Sequence, residues 1–486
     1  MQLAAVDLGS NSFRVEIGRV DGSHIARVGY WKETVRLAAG LDEDGRLSRK
    51  AIALAVDTLA RMNERLRGLE PAQVRAVGTQ TLRQARNIGE FLLEAQSALG
   101  YPIEVISGRE EARLIFEGCS HELPLTEAPR LVVDIGGAST ELIVGAGFTA
   151  WSAESFKIGC VNTSLRFFKD GRIDRASLKK AQVAAAAELE EAVSLFGAAN
   201  WTEAFGSSGT IGAISEIARA EGWTDGTITS EVLQRVRSGV IDAGEIGKIK
   251  FAGLKPDRQP VMPGGVAVLS AVFETLGVRS MKPARGGLRV GVLYDLLGRR
   301  EHKDTRHATV ERMMNRFGVD REQAERVRVL ALALYAAIEP KASGEMVNRL
   351  HWAALLHELG FAISHGDYHK HSAYLIRNAD LAGFSTTDQE HIANLALAQR
   401  GNLKKIAEAL QDRERAAKIL ALRLAVILAH ARRPVDLPRL SLGFAQGIEL
   451  AIDGAWLTEH PLTHYLLEEE AALWERTGTR FTLKTR

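Results

Sequence analysis

Two short stretches of the sequence hold the residues best suited to chemistry. Asp7-Leu8-Gly9-Ser10-Asn11-Ser12 follows the apolar run Leu3-Ala4-Ala5-Val6, and Asp134-Ile135-Gly136-Gly137-Ala138-Ser139 follows Leu131-Val132-Val133. In both, an Asp closes the apolar run, a Gly comes two residues later, and a Ser three residues after that. Glycine lets the chain turn tightly enough for successive N–H groups to face one anion. The hydroxyls of Ser10, Ser12, Ser139 and Thr140 add donors for phosphate oxygens. A carboxylate repels phosphate, so Asp7 and Asp134 suit such loops when a divalent cation stands between them and the anion. One copy alone reads as an ordinary hairpin turn. Two copies facing each other would clamp a phosphate chain together with its metal.

The flanking residues say what holds these loops. Phe13, Val15 and Ile17 alternate with polar residues after the first loop, and Leu142 and Val144 alternate after the second. A period of two marks half-buried strands. Each loop therefore joins two strands, and the distant echo predicts two similar lobes, not a solenoid.

The chain's 486 residues exceed what one core can organise. Its 46% apolar and 25% charged residues are those of an ordinary globular protein. With a formal net charge of +2, a polyanion has to be held by local basic patches and not by the field of the whole molecule. No nucleic-acid partner is expected. Cys119 and Cys160 cannot build a disulfide framework, so they are expected as free, buried thiols in a reducing cytoplasm. No apolar run reaches the roughly twenty residues a membrane span needs, and Asp7 within the first strand-like stretch argues against a secretory leader.

Further motifs add to the two loops: Gly78-Thr79-Gln80-Thr81-Leu82-Arg83, Ile106-Ser107-Gly108-Arg109-Glu110-Glu111-Ala112-Arg113-Leu114-Ile115, Gly206-Ser207-Ser208-Gly209-Thr210 and Gly287-Leu288-Arg289-Val290-Gly291-Val292-Leu293. With them the sequence resembles the exopolyphosphatase/guanosine pentaphosphate phosphohydrolase family, within the acetate kinase, sugar kinase and actin superfamily. The resemblance implies an α/β fold of two actin/sugar-kinase-like (ribonuclease H-like) lobes, residues 1–124 and 125–300. An all-α HD-like domain, 301–433, and a small C-terminal β-containing domain, 434–486, would follow.

The resemblance also implies roles. Glu111 matches the glutamate that activates the attacking water. Asp134 and Glu141 match acids that hold Mg2+ (or Mn2+), with Asp7 joining them from the first loop. Ser10, Asn11 and Ser12 match one phosphate loop, and Gly136, Gly137, Ala138 and Ser139 the other. Arg83 and Gly209 would contact phosphate. Physical reasoning agrees, since phosphoryl transfer needs positioning and charge neutralisation more than covalent help. Glu111 follows strand-like Ile103-Glu104-Val105-Ile106, near a helix start where a carboxylate is favoured and can reach a water. Glu110 beside it is expected on the surface. Ala138 stands where the family usually has a third Gly, which would strain the loop by roughly 1 kcal/mol if that position needs positive φ. The stretch from Gly244 to Gly265 follows the family pattern only loosely.

Beyond residue 301, apolar residues recur at helical spacing, as in Val327, Leu330, Ala331, Leu334 and Tyr335. The segment from Leu350 to Gly360, followed by His365, His369 and His371, resembles an HD-type phosphohydrolase domain. An HD site needs a His-Asp doublet, and here the doublet is His357-Glu358, so no working metal site is expected. Residues 400–433 hold nine Lys or Arg against three Asp or Glu. Arg400, Lys404, Lys405, Arg432 and Arg433 are either a solvated helix face or a track for polyphosphate. Pro434-Val435-Asp436-Leu437-Pro438 reads as a break before a tail that carries Trp456 and Trp474.

The leading expectation is an exopolyphosphatase that releases orthophosphate from the end of inorganic polyphosphate. Guanosine pentaphosphate 5'-phosphohydrolysis is its sibling. A kinase of the same superfamily and a regulatory nucleotide-binding module are the readings from other classes. The resemblance alone suggests a homodimer formed through the helical half.

Overall fold

A computed structural model of the chain describes all residues except 125, 302, 343, 435–438 and 486. Most of the expected break after Pro434 lies outside the described residues. The chain divides into two compact units, Met1–Thr305 and Arg306–Arg486. Among the described residues no helix is long and apolar enough to cross a membrane.

The first unit contains two mixed sheets. β1 (Gln2–Leu8), β2 (Ser12–Asp21), β3 (His24–Thr34), β4 (Val74–Gly78) and β5 (Ile103–Val105) assemble in the order β3-β2-β1-β4-β5. β1, β2 and β3 form an antiparallel meander, while β4 runs parallel to β1 and β5 parallel to β4. The second sheet uses β6 (Arg130–Ile135), β7 (Thr140–Ala146), β8 (Thr149–Phe156), β9 (Glu203–Ser207), β10 (Ile228–Thr229) and β11 (Ser280–Pro283), in the order β10-β11-β9-β6-β7-β8. Here too a meander, β6-β7-β8, is followed by a parallel partner, β9, on the open side of its first strand. The echo in the sequence is thus an echo of topology. Phe13, Val15 and Ile17 enter the core of the first lobe, and Leu142 and Val144 that of the second.

Two helices join the lobes, and the chain exchanges them. Helix Gly108–Glu122 follows β5 of the first sheet, yet Ala112, Ile115, Phe116 and Cys119 pack with Val132, Ile143 and Phe205 of the second. Helix Leu288–Arg300 follows the second sheet, yet Val292, Leu293 and Leu296 pack with Leu3, Ala5 and Val77 of the first. Where the helices cross, only glycine fits. A Cβ on Gly118 would lie 2.2 Å from the Gly287 carbonyl oxygen, and one on Gly291 would lie 1.8 Å from that of Leu114.

The second unit is mainly helical. Its core includes Tyr335, Trp352, Phe384, Ile392, Leu420 and Leu424. Three strands, β12 (Ser441–Phe444), β13 (Ile448–Ile452) and β14 (Phe481–Thr485), pair in sequence order. Leu442, Ile448, Trp474 and Phe481 belong to the same apolar cluster as the helices, so the tail shares their core.

Candidate active site

The loops from β1 to β2 and from β6 to β7 lie at a cleft of about 480 Å³ between the lobes. They approach closely: a Cβ on Gly137 would lie 3.5 Å from that of Ser10 and 3.6 Å from that of Asn11. Their carbonyl oxygens, which would repel an anion, are committed to other donors. Ala38 N–H donates to the Ser10 carbonyl, and Val35 and Arg36 N–H donate to that of Asn11. In the second loop Cys160 N–H donates to Gly136, and Val161 and Asn162 N–H donate to Gly137. The Asn162 side-chain amide donates to Ala138, and Gly136 N–H donates to Ser139. Occupied carbonyls on both sides lessen the repulsion a phosphate would meet there. Gly9, Ser10, Asn11, Ser12, Gly136, Gly137 and Ser139 all line it. Ala138 does not, and it is absent from the positive-φ residues, so the strain expected of an Ala there does not arise.

Glu111 also lines the cleft, in the first turn of helix Gly108–Glu122, where the Ser107 hydroxyl caps the N–H of Glu110 at 3.1 Å. Arg83 donates to the Glu111 carboxylate at 2.8 Å and to the Ile106 carbonyl at 2.9 Å. Arg83 therefore grips the expected base, and the cleft lining does not include it. Burial raises the Glu111 pKa, Arg83 pulls it back, and Asp7 pushes it up again. Glu110 corrects an expectation. It is 2% exposed, and Arg113 donates to it at 2.8 and 2.9 Å, because adjacent helical residues point about 100° apart.

Asp7 and Asp134 both line the cleft at the ends of β1 and β6. Burial and then the charge of Glu111 push Asp134 up to about 6, against hydrogen bonds from Ser207 and Ser208 and the charge of Arg14. Glu141 pairs in register with Asp134 on β7 but stands behind the cleft, where the Ser155 hydroxyl donates to it at 2.8 Å. Burial and the charges of Glu111 and Asp134 raise its pKa well above the usual carboxylate range. Among the described residues no three His, Cys, Asp or Glu side chains converge as a ready metal cage.

The cations at the site went largely unread in the sequence. Arg289 sits 3.0 Å from Glu16 and 3.5 Å from Asp7. Lys32 of the first lobe meets Asp257 of the second at 2.9 Å beside the cleft. A Cβ on Gly209 would lie 2.3 Å from the Arg258 guanidinium carbon, so Gly209 makes room for Arg258. Arg289 was visible in a quoted motif, whereas Arg258 lies in the loosely matching stretch and gave no signal. Ser208 precedes Gly209 at φ 75°, a left-handed backbone that costs a non-glycine residue about 1–2 kcal/mol. Strain at the start of a helix facing a cleft is what a functional site retains.

The proposed polyphosphate track of the second unit is not uniform. Arg432 is engaged by Glu358 at 2.6 Å and Asp320 at 3.0 Å. Lys405 donates to the Arg400 carbonyl at 2.7 Å, and Arg400 lies over the Tyr368 ring at 5.2 Å. Lys404 and Arg433 are exposed. His357 is buried with Nδ1 2.6 Å from the Ala354 carbonyl, and its neighbour Glu358 is taken by Arg432.

Residues 16–300 match the Ppx/GppA phosphatase family, and residues 305–471 match domain III of the same family. This chain belongs to the Ppx/GppA phosphatases. Relatives named guanosine-5'-triphosphate,3'-diphosphate pyrophosphatase occur in Aeromonas hydrophila, 38% identical over 98% of this chain and 97% of theirs, and in Vibrio cholerae, 38% identical over 96% and 95%. The fold of an exopolyphosphatase from Cytophaga hutchinsonii matches 61% of this Ppx/GppA chain and 98% of its own, with a TM-score of 0.56 at 22% identity. The two sheet-and-helix lobes are those of the actin-like Ppx/GppA structures, and the protein is a hydrolase of phosphoanhydride bonds.

Proposed function

We propose that this enzyme removes the terminal 5'-phosphate of guanosine 5'-triphosphate 3'-diphosphate as orthophosphate. The 38% identity to relatives of that name over nearly the whole chain is the observation that carries the substrate. The sequence alone favoured inorganic polyphosphate, and one feature keeps it as the second reading. Lys255, Arg258 and Arg285 join Lys32 around the cleft, a basic rim that suits a longer polyanion.

The chain's own residues perform defined tasks in this reading. The two loops hold the terminal phosphoryl group by N–H and hydroxyl donors. Glu111 takes a proton from a water as its oxygen bonds to the terminal phosphorus. The bridging P–O bond breaks and its electrons leave with the shortened phosphate chain. Arg83 keeps Glu111 ionised and aimed. The loop carbonyls, already accepting from other donors, add little repulsion to the phosphate.

Magnesium, or manganese, fits the donor set. Burial and neighbouring carboxylate charge both oppose ionisation of Glu111, Asp134 and Glu141, with Asp7 acting on Glu111, and hard carboxylate oxygens are what Mg2+ accepts. Mg2+ is typically held by one or two carboxylates together with substrate phosphates, so no closed protein cage is needed. Asp134 would hold it, helped by Asp7 and, from behind, Glu141; bound there, it would supply charge neutralisation on phosphate oxygens.

The test is orthophosphate release by the full chain with magnesium, comparing guanosine pentaphosphate with long-chain polyphosphate. A higher kcat/KM on the nucleotide supports the first reading. A higher value on polyphosphate replaces it with the second.

A further inference from the structure

The same helix turn that presents Glu111 to the cleft sends Glu110 about 100° away, into a buried ionic network that the chemistry does not use. Arg113 donates to Glu110 at 2.8 and 2.9 Å and to Asp295 at 2.5 Å. Arg75 of β4 donates to the other oxygen of Asp295 at 2.7 Å, and Arg299 donates to that oxygen at 2.9 Å. Arg75 also donates to Glu104 of β5 at 3.0 Å. The Asp295, Glu110 and Arg75 side chains are 1–2% exposed. Asp295 thus ties together both crossing helices and the first sheet. The surrounding guanidiniums of Arg75, Arg299 and Arg113 hold its carboxyl far below the usual range despite its burial.

This geometry limits how helix Gly108–Glu122 can roll about its axis. The crossing below is bare backbone at Gly118, Gly287 and Gly291, with His121 stacked on Tyr294 beyond it. Near the first turn, Glu110 and Arg113 add directional anchors to the apolar packing of Ala112, Leu114 and Ile115. Because Glu110 and Glu111 lie about 100° apart on the helix, anchoring the first aims the second. We propose that Asp295 is a positioning residue for hydrolysis: acting through Arg113 and Glu110, it fixes the roll of this helix and so the aim of Glu111 at the attacking water. The proposal rests on the reading of Glu111 as the base.

Buried ionic networks often add little net stability beyond an apolar equivalent, so geometric specificity is the more natural return for this one. Misplacing a reacting group by about 1 Å can cost on the order of a hundredfold in rate. Glu111 is already held by Arg83 on one side, and the network supplies the second constraint needed to define a direction.

The test measures kcat and KM on guanosine pentaphosphate and on polyphosphate for Asp295→Asn, Asp295→Glu and Glu111→Gln in the full chain, with thermal unfolding of each. Asp295→Asn keeps the shape and removes the charge. It should lower kcat about tenfold to a hundredfold with KM within about twofold. Asp295→Glu restores the charge on a longer arm and should recover part of the lost kcat even if its Tm is no higher. A folded Asp295→Asn with parental kcat overturns the proposal. So does a loss shared equally by kcat and Tm that Asp295→Glu does not relieve, which marks the network as structural only. Parental turnover by Glu111→Gln would overturn the reading of the base itself. An impaired Glu111→Gln beside an unimpaired Asp295→Asn would sink the positioning role alone.

Discussion

Arg83 and Glu111, separated by 28 residues, meet at 2.8 Å, with Glu111 on the cleft wall and Arg83 outside its lining. The pair joins two residues that sequence motifs assign to separate tasks. Glu111→Gln should lower kcat by about 10²–10⁴-fold, the usual cost of losing a positioned base. Equilibrium binding of guanosine pentaphosphate should hold within a few-fold. Single-turnover kinetics beside a binding titration separates the two effects, and near-parental turnover would remove Glu111 from the chemistry.

The pH dependence of kcat follows from the same pair. A base works deprotonated, and burial raises Glu111 above its usual 4.5, so the acid limb should fall above that value. Removing the Arg83 charge with Arg83→Met takes away the pull that opposes burial. The acid limb should then move to higher pH, and a limb that stays or moves down contradicts the pairing.

The carboxylates around Asp134 store repulsion that stability measurements can read. Asp134 titrates at about 6 in the fold against 3.8 in the unfolded chain. The folded state binds this proton more tightly, so the stabilisation is fully present below pH 3.8 and is lost as pH rises through about 6. Metal-free protein should therefore gain stability from this group on mild acidification. Glu141→Gln should raise Tm at neutral pH without metal, since burial and two neighbouring carboxylates oppose its charge. Added magnesium should raise Tm in the parent more than in Asp134→Asn, as ligand linkage requires.

Lys32 and Asp257 cross the cleft at 2.9 Å with side chains 24% and 47% exposed. A pair so open to water is worth about 0.2–1 kcal/mol. Asp257→Asn should leave Tm nearly unchanged while freeing the Lys32 ammonium for substrate. KM should drop by about twofold to fivefold at low salt, and the gain should fade as ionic strength rises.

The basic run of the second unit should divide by substitution. Arg432→Ala strands the buried Glu358 without its cation and should lower Tm clearly. Lys404→Ala and Arg433→Ala remove exposed charges and should leave Tm unchanged. If those two together weaken binding of long polyphosphate and flatten its salt dependence, the exposed part of the run meets the polymer.

The strands, the loops and the doubling of the lobe were legible because period-two patterns and glycine turns are local properties. Glu111 was legible from its motif. Its pairing with Arg83 was not, because a spacing of 28 residues carries no geometry until β4 and β5 lie side by side. Glu110 read as surface because charge usually means exposure. Its burial depends on Arg75 and Asp295 arriving from two distant segments to join Arg113 of its own helix. Helix Leu288–Arg300 read as part of the second lobe because it follows that lobe in the chain, and only packing returns it to the first. Arg258 offered no pattern at all, and the room for it is visible only as the missing Cβ of Gly209.

The glycine crossing gives this enzyme a bearing with few teeth. Interlocked side chains hold a joint in discrete notches, because each must leave one hole before it enters another. At Gly118, Gly287 and Gly291 backbone meets backbone, and the interlocked side chains stand to either side, Leu114 among Val292 and Leu293 and His121 stacked on Tyr294 at 3.3 Å. Charge adds to that packing, from Arg113 and Asp295 near the joint and from Lys32 and Asp257 at the mouth. Of these two clasps only the mouth pair is open to dissolved ions, so salt loosens the rim of the cleft while the pivot keeps its grip.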